Sequence, residues 1–322
     1  MNPNQARIDP ELRDAIIAFH HPSIPVLREM PIEEARDFLE LFVQQNPQSQ
    51  VEVGAVEDIA IDAGTHDIPA RLYLPPDRPG PHPVLVWFHG GGWVFGSVDG
   101  ADADVRKLCR NTGAAVLSVD YRLAPEHRHP AAVEDALTAM RWVHREGAAC
   151  RLDAGRIAVG GDSAGGNLAA ICAIDARDQG TPELAAQFLV YPVVDDDLDR
   201  ASYRDYAEGL LLETADMGTF WDHYCPEHAR RRHWTVTPLN ASSHAGLAPT
   251  VLMIADLDPL RSENEAYAET LEGQDVEVQV VRMRNLTHGA FGMSDNSRAA
   301  HAAIARACAM IAVRLGTKPL DD

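Results

Sequence analysis

Residues 156–176 read RIAVGGDSAGGNLAAICAIDA. RIAV is a short apolar run closed by glycine, the pattern of a buried strand, and NLAAICAIDA is a helical run. Between them, Gly161-Asp162-Ser163-Ala164-Gly165 fits G-x-S-x-G. A serine on a tight strand-to-helix turn needs glycines at its flanks, because the backbone passes too close for a side chain. The helix that begins there also points its N-terminal amides at any negative charge developing beside the serine. Ser163 is therefore a candidate nucleophile. The plainer alternative is a glycine-rich turn in which Ser163 only caps the helix.

The same rhythm of strand, loop and helix extends on both sides. VLVWF (84–88) and AAVLSVD (114–120) are continuous apolar runs, as expected of strands buried on both faces of a parallel sheet. Helices follow at about 101–111 and 131–145, and the helix after the serine covers 164–178. QFLVYPVV (187–194), PTVLMIA (249–255) and VEVQVVRMR (276–284) supply further strands, with helices near 262–272 and 296–315. Gly273 and Gly316 stand where helix C-caps belong. Upstream, 51–59 and 67–74 read as an antiparallel pair turning near Gly64. Residues 11–20 and 31–45 read as amphipathic helices with Ile16, Phe19, Phe38, Leu41 and Phe42 on their apolar faces. Alternating strands and helices predict a doubly wound, mostly parallel sheet of eight strands, with its site at the carboxyl ends of the strands.

One stretch breaks the rhythm. Between Val194 and Ala248 no strand is legible, and a structureless loop of that length is rare in a compact domain. It reads as an inserted helical cap packed with the N-terminal helices over the strand ends. The expected division is 1–50 for N-terminal cap helices, 51–195 with 246–322 for the main domain, and 196–245 for the insert.

His89-Gly90-Gly91-Gly92-Trp93 follows VLVWF directly. Three glycines leave amides unshielded, so a substrate oxygen can approach the backbone, as in the HGGG oxyanion loop. A phosphate cradle would need GK[ST] and a helix opening at the last glycine. His89 is expected to brace the loop, not to titrate. A serine-dependent triad on such a sheet runs in the order Ser, acid, His. Asp258 follows PTVLMIA and His288 follows VEVQVVRMR, so both are expected on the same edge as Ser163. Asp256 is the neighbouring competitor, and the turn-forming Pro259 favours Asp258. Trp93, Phe95, Trp221 and Phe291 are candidate pocket walls, with a place in the core as the equal alternative for each.

Composition narrows the partners. The chain has 322 residues, 46% hydrophobic and 24% charged, as in a globular protein with a real core. With 28 Lys+Arg against 48 Asp+Glu the net charge is −20, which repels phosphate backbones and anionic lipid. Nucleic acid and stable membrane association are not expected, and no apolar run reaches membrane-spanning length. The five cysteines lack CxxC spacing, and the first residues are unlike a signal peptide, which together indicate a cytoplasmic protein. Asp195, Asp197 and Asp199 alternate like a calcium loop, but Arg200 and Tyr206 occupy the required Gly and Glu positions. They read as a solvated acidic entrance to the cap. His223, Cys225, His228 and His233 match no common zinc spacing, so no metal is expected. Arg230-Arg231-Arg232 reads as a solvated face. Asp162 and Glu126 are expected to hold buried hydrogen bonds near the site.

HGGGW, GDSAGGN, DYRLAPEHRHPAAVED (120–135), YPVVD (191–195), DPL and HG together resemble the hormone-sensitive-lipase-like esterases, bacterial family IV, over roughly residues 65–315. The resemblance implies an α/β-hydrolase fold with a helical cap, and a carboxylic-ester hydrolase that needs no cofactor. It carries the nucleophile to Ser163, the acid to Asp258 and the base to His288. The oxyanion amides fall on Gly91, Gly92 and Ala164, with Gly90 shaping the turn. Two places depart from the commonest pattern: RSENE follows the DPL acid, and Ala290-Phe291 follows HG beside the histidine. The expected substrates are small esters with short-to-medium acyl groups, with lactones and amides as alternatives of the same chemistry. A ligand-binding homologue without catalysis is the rival from another class. The base must be neutral, so activity is expected to rise through about pH 6.5, the value for free histidine. The last strand is an edge at which a second copy could pair to form a homodimer.

Overall fold

The computed structural model describes residues 2–45 and 51–320. The expected boundary at 50/51 falls beside residues 46–50, which lie outside the described ones. Eight strands form one sheet: β1 (Ala55–Asp62), β2 (Asp67–Leu74), β3 (His82–Phe88), β4 (Ala115–Val119), β5 (Leu152–Asp162), β6 (Leu184–Val190), β7 (Thr250–Leu257) and β8 (Val278–Thr287). Their order is β1-β2-β4-β3-β5-β6-β7-β8. β2 pairs antiparallel with both β1 and β4, and every other neighbouring pair is parallel. β1 and β8 are the edges.

The central strands are apolar throughout because both of their faces are covered. Every residue of β3 is buried, and its alternate side chains feed two separate cores. Val84, Val86 and Phe88 face one, Leu85 and Trp87 the other. On the first face lie α4 (Ala131–Glu146), α5 (Ala164–Gln179) and α9 (Arg261–Glu272), through Met140, Leu168 and Tyr267. On the second lie α3 (Asp102–Thr112) and α10 (Arg298–Leu315), through Leu108 and Ile304. Edge strand β1 has the opposite signature, with exposed and part-buried residues alternating along most of its length.

β3 and β5 are neighbours, yet the chain leaves β3 toward β4 and returns across it to β5. That reversal is where a crevice opens at the carboxyl ends of a parallel sheet. The glycine loop after β3 and the serine turn after β5 both lie there.

Several boundaries differ from expectation, and two of the differences have a plain local cause. β6 stops at Val190 instead of running to Val194, because Tyr191 turns to φ 34° and Pro192 has no amide for a ladder. The freed chain bonds to the serine turn instead, with the Val193 amide donating to the Ser163 carbonyl at 3.2 Å. Gly316 caps α10 in the left-handed region, but Gly273 keeps helical angles at the end of α9. The left-handed residue there is Asp275.

The cap is built from two separated pieces. Residues 2–45 carry α1 (Pro10–Phe19) and α2 (Ile32–Gln45), and the insert carries α6 (Ala201–Asp205), α7 (Thr214–Tyr224) and α8 (His228–Arg231). Polar contacts stitch them together. Asn2 and Gln5 donate to the carbonyls of Glu208 and Gly209, each at 3.1 Å. Arg28 reaches Glu213 and Asp216 at 3.0 and 2.9 Å. Ile16 is buried as expected, whereas Leu41 and Phe42 on α2 are exposed. Among the described residues no helix is long and apolar enough to cross a membrane.

Candidate active site

Ser163 stands at the tip of the β5–α5 turn with φ 56° and ψ −118°, strained for a residue with a side chain. The turn closes only because its flanks are glycine. A Cβ on Gly161 would fall 2.3 Å from the Gly165 carbonyl carbon, and one on Gly165 would fall 1.9 Å from the Phe88 carbonyl oxygen. The Ser163 amide donates to the Val190 carbonyl at 2.9 Å, which locks the turn onto β6.

β7 ends at Leu257 and delivers Asp258, fully buried. β8 delivers His288 immediately after Thr287. His288 Nδ1 lies 2.8 Å from Asp258 Oδ2, and Nε2 lies 2.9 Å from Ser163 Oγ. With an Nδ1–H donated to the carboxylate, Nε2 keeps the lone pair that accepts the serine proton. Asp258 Oδ1 accepts the Leu260 amide at 2.8 Å, so the turn at Pro259 fixes the carboxylate as well as the chain. Asp256 faces elsewhere and accepts from the Asn285 amide.

The glycine loop follows β3. His89 is buried, its ring stacked on Tyr121 at 4.4 Å, and its Nδ1 lies 2.8 Å from the Gly90 carbonyl. Burial lowers its pKa, so it is neutral at neutral pH. The Gly90 amide donates to Asp162 Oδ1 at 2.9 Å, tying the loop to the serine turn. Burial pushes the Asp162 carboxyl up to about 6, against the lowering influence of His288 and of that amide. Among the described residues, the amides of Gly91, Gly92 and Ala164 donate to no protein acceptor. Unused amides beside a serine can receive the negative oxygen of a tetrahedral intermediate.

Beside this centre lies a cavity of about 470 Å³, walled by Ile24, Leu27 and Phe38 from the N-terminal segment and by Leu211 and Phe220 from the insert. Of the four expected pocket residues only Phe95 lines it. Trp93 and Trp221 are fully buried, and Trp93 stacks on Tyr224 at 4.2 Å, so both are core residues where the glycine loop meets the insert. Phe291 stacks on Trp87 at 5.4 Å beneath the site, so the Ala290-Phe291 order does not put that ring in the cavity.

Other polar expectations are corrected. Asp195 is buried, paired at 2.7 Å with Arg200, the residue that occupies the would-be calcium glycine position. Arg231 is buried, donating to the Cys225 carbonyl at 2.6 Å and lying over the Trp221 ring, whereas Arg230 is exposed. Glu126 pairs with Arg36 of α2 at an exposed position. Among the described residues no group of three or more His, Cys, Asp or Glu is placed to hold a metal.

Two residues escaped the sequence. The Tyr191 ring packs 4.3 Å from that of His288, and its hydroxyl accepts the Phe291 amide, so it supports the histidine loop. Glu263, within RSENE, is buried and accepts the Val194 amide at 2.8 Å and the Tyr203 hydroxyl at 2.9 Å, fixing the start of the insert. Position at the end of β6 was the available signal for Tyr191. Glu263 had none, because an acid on a helix normally faces solvent.

A family model described as the alpha/beta hydrolase fold matches residues 85–292. The chain is 41% identical to a carboxylic ester hydrolase of Mycobacterium tuberculosis over 80% of its own length and 70% of the relative's. It is 41% identical to an ethyl acetate hydrolase of Pseudomonas putida, over 69% of this chain and 71% of that protein. The crystal structure of a thermostable esterase from Pseudomonas putida superposes with a TM-score of 0.92 at 33% identity, covering 96% of this chain and 98% of the other.

Proposed function

The chain belongs to the α/β-hydrolase family, of the hormone-sensitive-lipase-like kind, and is a carboxylic-ester hydrolase; we propose that Ser163 is its nucleophile, His288 its general base and Asp258 the orienting acid. The observation that carries the assignment is the unbroken hydrogen-bonded line from Asp258 through His288 to Ser163. Ser163 Oγ attacks the ester carbonyl as its proton passes to His288 Nε2. Asp258 holds the ring and stabilises the imidazolium. The amides of Gly91, Gly92 and Ala164 receive the oxyanion, and one such donor is worth about 10²–10³ in rate. His288 then protonates the departing alcohol. Water activated by the same histidine releases the acid from Ser163.

The substrates we propose are small esters with short-to-medium acyl groups, since a covered cavity suits a single small molecule better than an emulsion surface. A net charge of −20 supports a small neutral substrate over nucleic acid or anionic membrane. Five free cysteines support work in a reducing, cytoplasmic setting. The open edge of β8 supports a homodimer paired through that strand.

Hydrolysis of p-nitrophenyl acetate, butyrate, octanoate and palmitate by the wild type and Ser163→Ala tests the assignment. Turnover of the short esters, reduced at least about 10⁴-fold in the variant, is the expected result. Turnover unchanged in Ser163→Ala would remove the nucleophile.

A further inference from the structure

The apolar cavity does not include the reacting atoms: Ser163 and His288 are not among its lining residues. Two cap side chains stand between. Phe220 of α7 lies against Gly92, so closely that a Cβ there would fall 2.4 Å from its ring. Leu211 lies against Gly289, where a Cβ would fall 3.3 Å from Leu211 Cδ1. Gly92 belongs to the glycine loop and Gly289 follows His288, so one contact falls on the loop and the other on the residue after the histidine. Both side chains also line the cavity. Phe220 is further held by Phe95, edge-on at 5.8 Å.

Their burial differs from that of the cap core. Trp221 and Met217, on the same helix, are fully shielded, whereas Phe220 and Leu211 are only part-buried and face open space. A side chain in that position is limited by what it leaves room for, more than by its own packing. The cavity volume of about 470 Å³ lies within the usual range for a small-molecule site. Arg28 of the wall is held between two carboxylates, Glu213 and Asp216, and that excess of acid disfavours an anionic group in the cavity.

We propose that Phe220 and Leu211 form the gate between the reaction centre and this cavity, and that they set how large an uncharged apolar group an ester may carry. The inference rests on the assignment of Ser163, His288 and the glycine loop made above. The ester carbonyl sits at Ser163, and its larger apolar part passes between the two side chains into the cavity. Truncating either side chain widens the passage; enlarging Leu211 narrows it.

The test compares kcat/KM for wild type, Phe220→Ala, Leu211→Ala and Leu211→Trp in two series. One runs from ethyl acetate to ethyl octanoate and the other from ethyl acetate to octyl acetate. The ratio of long to short substrate is expected to rise about tenfold in both alanine variants and to fall about tenfold in Leu211→Trp, the scale of a single methylene in an apolar pocket. A response in either series supports the gate and shows whether the acyl or the alcohol side enters the cavity. Ratios unchanged in every variant, or all substrates slowed by one common factor, would overturn it and leave only a packing role. If the wild type turns over no ester, the assignment of function fails first and the gate with it.

Discussion

The strand ends and the cap obey different physics. At the strand ends, each residue of the Ser163–His288–Asp258 line is at most 9% exposed, and the turns at Ser163 and Asp258 are held by backbone hydrogen bonds. The cap is stitched by side-chain bonds such as Arg28 to Glu213 and Asp216, and it leaves Leu41, Phe42 and Val26 exposed. Chemistry is tolerant of almost no displacement, so it lies where the backbone is over-determined. Selection among substrates needs surface that can vary, which is the role proposed above for Phe220 and Leu211.

The contrast can be broken most severely at the acid. Asp258→Asn, which leaves the histidine without its carboxylate partner, is expected to lower kcat by roughly 10⁴. Asp256→Asn, two residues away on the same strand end, should leave kcat near wild type. Equal losses in steady-state kinetics would mean that the strand end, not the specific carboxylate, matters.

A pair of glycines sharpens the contrast in stability. Gly165→Ala forces a Cβ into the Phe88 carbonyl and is expected to cost roughly 3 kcal/mol in urea unfolding. Gly218→Ala lies within α7 with open space around the new methyl. It should stabilise by about 0.5–1 kcal/mol through helix propensity, the smallest effect foreseen here. A large cost at Gly218 would show the cap to be packed as tightly as the turn.

Between those two in size is the carboxyl that joins the glycine loop to the serine turn. Burial raises Asp162 from the usual 3.8 to about 6. From about pH 4 to about pH 6 the native state therefore holds a proton that the unfolded chain has released, and stability falls as pH rises through that window. Asp162→Asn retains an acceptor for the Gly90 amide but buries no charge. Its stability should exceed that of wild type by at most about 3 kcal/mol at pH 8, with the gap closing by pH 4. A gap independent of pH in parallel melts would show that burial of that charge is not the cause.

Much of the strand-end region was legible in the sequence. VLVWF and RIAV are continuous apolar runs because both faces of their strands are covered. Gly161 is forced by the backbone of Gly165, four residues on, whereas the contact that forces Gly165 comes from Phe88 on a neighbouring strand. The chain order of Ser163, Asp258 and His288 follows from which strands carry them. In the cap, the helices were legible but their burial was not. The sequence reads Trp93 and Trp221 as pocket wall or core without deciding between them, Arg231 as solvated and Asp195 as an acidic entrance; each is buried against a partner that only folding supplies.

The sequence by itself determined the sheet, the serine turn and the order of the three strand-end residues, because those depend on short-range periodicity and on where the backbone tolerates no Cβ. Tertiary structure alone decided that Arg231 covers Trp221, that Glu263 anchors the insert, and that Phe220 lies on Gly92. Each of these joins residues whose separation along the chain carries no local signal, and whose burial is set by the surface that closes over them.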